Sequence, residues 1–318
     1  MASLPVIDLQ PLWQDPENGI NKVAADIKRI YSKIGFAYLI NHQIPANTIR
    51  DIFNASQSFH QLPLQEKLKI KQNSSFRGYT PLNASKLTLS SLGQAALPNY
   101  REAFVIGPEP NNEALSNQYY MGHNQWPATL NSFQQKVEAY RDAILTLAFR
   151  LLEVISVSLG MAPFHLNQFF SPPSYWLSLQ HYPSNTNKQA NQFGIAPHTD
   201  YGCFTLLLQK QVSGLEVKHP IDGWISVPCL SNALVLNTGD MLNRWSNGRL
   251  LATPHRVINA DLERYSVPFF FEPNMHTRVT VLSSCIDPQT PPLYPPVIYG
   301  DYFTERISHN YNTLNTHS

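Results

Sequence analysis

The second half of the chain is a succession of short extended runs, and few folds can accept it. Residues 176–182, 198–209, 224–227, 233–237, 255–258 and 265–272 are rich in β-branched, aliphatic and aromatic side chains and are bounded by Pro, Gly, Asn and Asp. Many short strands in succession point to a sandwich or a barrel.

The first half has a different period. Ile20, Val23, Ile27, Ile30, Tyr31 and Ile34 recur at spacings of three and four, which places them on one helical face. A second helix is expected from about Pro45, through Ile49, Ile52 and Phe53. A long one is expected over 131–159, with Val137, Tyr140, Ile144, Leu147, Leu151 and Ile155 buried and Gly160 as its stop. The Ser-, Asn-, Leu- and Gly-rich stretch 73–99 is long for a loop in a compact domain, and such loops are functional lids or disordered. A last helix is expected over 299–307, followed by a loose polar tail, 309–318. The fold class is therefore α+β: a double-stranded β-helix (jelly-roll) core flanked by helices. Residues 1–110 would form a helix-rich region packed on the barrel, and 111–318 the jelly-roll core with the long and C-terminal helices.

Composition excludes several classes of function. With 318 residues, 43% of them hydrophobic, the chain can bury a real core, and its formal net charge of +1 comes without a basic run or stripe. No nucleic-acid partner is expected. No stretch reaches the length of a membrane span, and the N-terminus does not read as a signal peptide, so a cytoplasmic location is expected. Cys203, Cys229 and Cys285 are odd in number and widely spaced, and are read as separate thiols.

His198-Thr199-Asp200 is the sharpest local feature. On a strand, residues two apart point to one face, so an imidazole and a carboxylate would project together. They make two thirds of a facial triad, the donor set that holds Fe(II) and leaves open positions. Zinc is more often held by four ligands, or by three and a water. Alone, His-x-Asp is a weak signal, and a strand-end histidine with a capping aspartate is its competing reading. A third ligand is available in His255, 55 positions after Asp200 and at the start of an apolar run. Arg264 and Ser266 follow, again two apart. A buried Arg beside a metal is costly unless it meets an anion. A guanidinium fork with a hydroxyl beside it suits a carboxylate, such as the distal one of 2-oxoglutarate. The competing reading of Arg264 is an internal salt bridge. Neutral histidines are needed to hold the metal, so affinity is expected to fall on acidification.

In order and spacing, His198-Thr199-Asp200, His255-Arg256-Val257 and Arg264-Tyr265-Ser266 resemble the signature of the isopenicillin N synthase-like iron(II)/2-oxoglutarate oxygenases. Further segments resemble that family along nearly the whole chain: Leu4-Pro5-Val6-Ile7-Asp8-Leu9, Gly35 to His42, Leu62-Pro63, Arg77-Gly78-Tyr79, Leu236 to Asp240 and Ser246 to Arg249. The resemblance implies Fe(II), 2-oxoglutarate as co-substrate and O₂. It implies hydroxylation, desaturation or ring closure of a small-molecule substrate. It also implies that Tyr182 contacts 2-oxoglutarate and that Phe271 faces the substrate. By analogy with the family, loop 73–99, Tyr100-Arg101-Glu102 and the C-terminal helix would form the mouth, offering Arg77, Tyr79, Tyr100 and Arg101. Gln43 departs from the family's usual Gly, and Gln180 from the Asn often found before the Tyr-Pro of plant members. His42 has a structural counterpart in the family. Two alternatives stay open: an Fe(II) oxidase of the same family that does not use 2-oxoglutarate, and a non-catalytic jelly-roll binding protein.

Overall fold

The computed structural model describes residues 3–15, 18–86, 97–110, 120–186, 189 and 191–311. The chain opens with β1 (Val6–Asp8), the short α1 (Pro11–Gln14), α2 (Gly19–Tyr31), β2 (Phe36–Ile40), α3 (Ala46–His60) and α4 (Leu64–Leu68). Then come β3 (Gly78–Thr80), β4 (Glu102–Ile106) and the long α5 (Phe133–Ser158). The second half holds β5 (Ser174–Tyr182), β6 (Ile195–His198), β7 (Phe204–Lys210), β8 (Leu215–His219), β9 (Gly223–Ser226) and β10 (Leu234–Thr238). After α6 (Asp240–Trp245) come β11 (His255–Val257), β12 (Arg264–Glu272), β13 (Arg278–Val279), β14 (Val297–Ile298) and α7 (Tyr299–Tyr311).

Eight strands form one large sheet in the order β1-β2-β10-β7-β12-β5-β4-β3, and four form a smaller sheet, β6-β11-β8-β9. This is the expected jelly-roll arrangement, with one extension. The first 110 residues are not helical throughout: β1 and β2 continue one edge of the large sheet, and β3 and β4 the other. Loop 73–99 accordingly contains a strand, β3, that pairs with β4 through Tyr79↔Phe104. Residues 87–96 lie outside the described residues.

The helices cover the outer face of the large sheet. Val23, Ile27 and Ile30 of α2 and Val137, Tyr140, Ile144, Leu147, Leu151 and Ile155 of α5 are all buried, as their spacing requires. These helices pack on each other, and α3 and α5 contact β12. The long helix ends at Gly160, whose φ of 78° a glycine adopts without steric cost. Gln43, where a Gly was expected, holds the left-handed φ of 62° all the same, so the turn keeps its glycine-like form. His42 accepts a hydrogen bond from the Ile44 N–H at 3.1 Å, a structural role. The C-terminal helix continues to Tyr311 rather than ending at Ile307, and 312–318 lie outside the described residues.

A buried polar cluster ties these layers together. Glu102 on β4 accepts from Lys67 of α4 at 2.8 Å and from Tyr79 at 2.5 Å, and pairs with His181 of β5 at 2.7 Å. Burial alone would raise the Glu102 carboxyl. Its hydrogen bonds to His181, Lys67 and Tyr79 outweigh that and hold it down at about 2. The cluster's stability is therefore present above the ordinary carboxyl value of 4.5 and is lost as pH falls from there towards 2. Tyr79, expected at the substrate mouth, belongs to this cluster: it is 1% exposed and turned towards the helices. Glu102→Gln strands the Lys67 ammonium and is expected to cost about 3 kcal/mol in urea unfolding near neutral pH. A loss under about 1 kcal/mol would show that the cluster behaves as a surface pair.

Candidate active site

The two sheets face each other across a cavity. Its walls come from both sheets: Gln180, Tyr182, Thr205, Arg264 and Ser266 from the large one, and His198 and His255 from the small one. A larger cavity joins it at Gln180, Ile195, His198, Asp200 and Phe270.

His198, Asp200 and His255 meet where the cavities join, with donor atoms all within 4.8 Å of one another. The two histidines are cross-strand partners on β6 and β11, with ring centroids 4.3 Å apart. Asp200 is not on the same strand as His198, as alternation had suggested. The strand ends at His198, and Asp200 sits in the following turn, where its carbonyl accepts from the Asp240 N–H at 2.8 Å. Convergence comes from this turn, not from strand alternation.

The surrounding hydrogen bonds orient each donor. Asp200 Oδ2 accepts from Thr205 Oγ1 at 2.5 Å and from Asn237 Nδ2 at 2.7 Å. That leaves Oδ1, which lies 3.6 Å from His198 Nε2 and 3.7 Å from His255 Nε2. Nδ1 of His198 lies 2.8 Å from the Ala196 carbonyl and Nδ1 of His255 lies 3.2 Å from that of Thr253. A carbonyl only accepts, so each Nδ1 carries the proton and each Nε2 offers its lone pair. Burial lowers His255 to about 4, assisted by the charge of His198 and opposed by Asp200, so its ring stays neutral down to that pH. Burial would raise the Asp200 carboxyl, but His255, His198 and Thr205 together hold it below its ordinary range. Two neutral imidazoles and one carboxylate, with no fourth side-chain donor among the described residues, fit an iron(II) site with open positions.

Thr205 and Asn237 escaped the sequence reading, although Asn237 falls within a segment it had singled out. Asn237→Leu is expected to weaken iron(II) binding by about 10- to 100-fold, the usual cost of losing an outer-shell partner. Titration of the metal-free protein checks this; unchanged affinity would show that Asp200 needs no orienting bond.

Arg264 fits the second half of the expected set. It is 1% exposed. One guanidinium nitrogen reaches Ser266 Oγ at 3.3 Å, another reaches Gln209 Oε1 at 3.1 Å, and the Tyr182 ring lies 4.7 Å away. Its Nε has no hydrogen-bond partner among the described residues. Among the described residues no carboxylate pairs with it, so the internal salt bridge is not what occupies this arginine. A buried cation lined up with a hydroxyl, in the cavity that holds the metal donors, is suited to a carboxylate ligand.

Strand parity corrects the expected substrate contacts. On β12 the cavity receives Arg264, Ser266, Pro268 and Phe270, while Phe271 points the other way. Phe271 is fully buried against Phe149, Phe170 and Phe204, at centroid distances of 5.2, 4.8 and 5.3 Å. It is a core residue; Phe270 is the aromatic that faces both cavities. Arg101 does line the larger cavity, its Nε buried without a partner among the described residues. Tyr100 does not, and its backbone N–H instead donates to the Phe193 carbonyl at 2.8 Å. Arg77 is wholly buried, donating to the Ser75 and Pro108 carbonyls. The C-terminal helix contributes Phe303 and Ile307 to the cavity, as expected of a mouth element.

Two family models match. Residues 4–129 match the non-haem dioxygenase in morphine synthesis N-terminal family, and residues 173–273 match the 2OG-Fe(II) oxygenase superfamily. The 2-oxoglutarate-dependent dioxygenase tropC of Talaromyces stipitatus is 34% identical over 88% of this chain and 89% of its own. The 2-oxoglutarate-dependent dioxygenase citB of Monascus ruber is also 34% identical, over 88% of this chain and 87% of its own. Among solved structures, a full-length Neurospora crassa protein crystallised in complex with alpha-KG superposes with a TM-score of 0.85 at 27% identity, covering 96% of each chain. With both halves matched in order and whole-length relatives a third identical, the chain belongs to the 2-oxoglutarate–iron(II) oxygenases and is a 2-oxoglutarate-dependent dioxygenase.

Proposed function

We propose that His198, Asp200 and His255 hold iron(II), that Arg264, Ser266 and Tyr182 hold 2-oxoglutarate in the smaller cavity, and that the larger cavity takes a small ring-bearing substrate. One observation carries the reading: Arg264 is a buried cation that meets no anion among the described residues, in the same cavity as the three metal donors. Iron(II), with 2-oxoglutarate and O₂, supplies the oxidation of a C–H bond, with succinate and CO₂ as co-products.

The chain's own residues do the rest. Thr205 and Asn237 fix Asp200 so that one oxygen faces the metal donors. Arg264 and Ser266 offer the co-substrate's far carboxylate a fork and a hydroxyl. Tyr182 donates to Gln180 Oε1, which holds its ring beside the Arg264 guanidinium. Phe270 stands between the two ligands and keeps water from the join.

The substrate side is aromatic. Phe76, Trp176, Tyr201, Phe270 and Phe303 line it, and Arg101 adds a cation suited to a polar or anionic substituent. The Neurospora crassa protein, 26% identical, has also been crystallised with thymine beside alpha-KG, which supports a ligand of about one ring. Hydroxylation, desaturation and ring closure all start from removal of one substrate hydrogen, and the reading covers all three. The test is a count of products against a panel of aromatic metabolites: one succinate per O₂ consumed is expected. O₂ consumption without succinate would favour the oxidase alternative.

A further inference from the structure

We propose that Glu272 is a substrate-contacting residue that donates a hydrogen bond from its carboxylic O–H into the larger cavity, selecting aromatic substrates that carry a carbonyl oxygen. The assignment rests on the reading of that cavity as the substrate chamber.

Glu272 is the last residue of β12 and shares the cavity-facing parity of Phe270. It is only 4% exposed. Its Oε2 is fully engaged: it accepts from the Cys203 N–H at 3.2 Å and from the Tyr299 hydroxyl at 2.7 Å. The site is built for this oxygen. A Cβ added at Gly202 would lie 1.2 Å from Oε2, so the carboxyl rests against backbone that only glycine leaves bare. No protein partner engages Oε1 among the described residues, and it is the oxygen left to the cavity.

The protonation state follows from the neighbours. No lysine, arginine or histidine pairs with Glu272 among the described residues. A buried carboxylate without a cation is costly, so the neutral acid is favoured. Burial pushes its carboxyl up, against the bonds from Tyr299 and Cys203. With Oε2 accepting twice, the proton belongs on Oε1. What the cavity meets is therefore a donor, and its complement is an acceptor. A substrate amine would find no acceptor there while the acid is neutral.

The surroundings define the rest of the ligand. Phe270 pairs in register with Trp176, and Trp176 stacks on Phe303 with centroids 4.6 Å apart and planes 16° apart. A flat ring against this wall, with an oxygen pointing to Glu272, satisfies the buried donor and fills the apolar surface together.

The experiment is calorimetry on protein loaded with Mn(II) and 2-oxoglutarate, where no turnover occurs. The probes are acetophenone, ethylbenzene and benzylamine, against the wild type, E272Q and E272L. In the wild type, acetophenone is expected to bind about tenfold more tightly than ethylbenzene, and benzylamine no better than ethylbenzene. E272Q should keep the preference, because its amide oxygen can accept from Tyr299 and Cys203 while its NH₂ faces the cavity. E272L should abolish it. Equal affinities in the wild type, tightest binding of benzylamine, no binding of any probe, or a preference that survives E272L would each overturn the assignment. Should E272L not fold, the wild-type ranking decides alone. The 2-oxoglutarate titration in the same calorimeter separates the two levels of inference. A normal isotherm with the wrong probe ranking removes only Glu272, whereas a wild type that does not bind 2-oxoglutarate removes the underlying site reading as well.

Discussion

Asp200→Ala is expected to leave a folded protein that does not retain iron(II) and whose turnover falls below about a thousandth of the wild type, a barrier increase of at least ~4 kcal/mol. The argument is geometric. Asp200 is the only carboxylate in the triad, and its Oδ1 lies within 3.7 Å of both histidine Nε2 atoms. Two neutral imidazoles alone form a weak and incomplete site for a hard divalent ion. The substitution also deprives Thr205 and Asn237 of their shared acceptor. Far-ultraviolet circular dichroism and an iron assay on the same sample separate loss of metal from loss of fold. His198→Ala and His255→Ala should behave alike. Retained activity in any of the three would remove that residue from the ligand set.

The second large effect is expected at Arg264. Arg264→Lys should raise the apparent KM for 2-oxoglutarate about a hundredfold, in line with the roughly 2–5 kcal/mol lost when one partner of a buried charge pair is impaired. Lysine keeps the charge but not the fork. The guanidinium reaches Ser266 and Gln209 with separate nitrogens while lying over the Tyr182 ring, and an ammonium cannot make those contacts together. Saturating 2-oxoglutarate should recover much of kcat, because the group binds the co-substrate at a distance from the bond that reacts. Steady-state kinetics with varied 2-oxoglutarate reads both parameters. An unchanged KM would count against the carboxylate role; a lost kcat with normal KM would place Arg264 nearer the chemistry.

Much of this architecture was legible in the residues. Helical periodicity located α2, α3 and α5, because a one-sided apolar stripe has few other uses in a globular chain. The metal donors and the Arg-x-Ser pair could be singled out because costly polar side chains stood beside apolar runs, in an order that resembles a family signature. Other features were not. β3 and β4 are short and lie beside a polar loop, so nothing in their pattern announces that they close the edge of the large sheet. Tyr79 looks like a mouth residue until Glu102 and Lys67, far apart in sequence, are seen to share its hydrogen bond. Phe271 was a failure of parity, and a recoverable one. Counting by twos from Arg264 leads through Ser266 and Pro268 to Phe270 and Glu272, the residues the cavities meet. Thr205 and Asn237 sit on two different strands, and only the pairing of β7 with β10 brings them to one carboxylate.

The central claim is that one site holds iron(II) and 2-oxoglutarate together. It is tested most directly by adding both to metal-free protein under strict anaerobiosis and recording the visible absorption. The account predicts a weak metal-to-ligand charge-transfer band that needs iron(II) and 2-oxoglutarate together, and that is absent in Asp200→Ala. Iron(II) binding with no band on adding 2-oxoglutarate would contradict it.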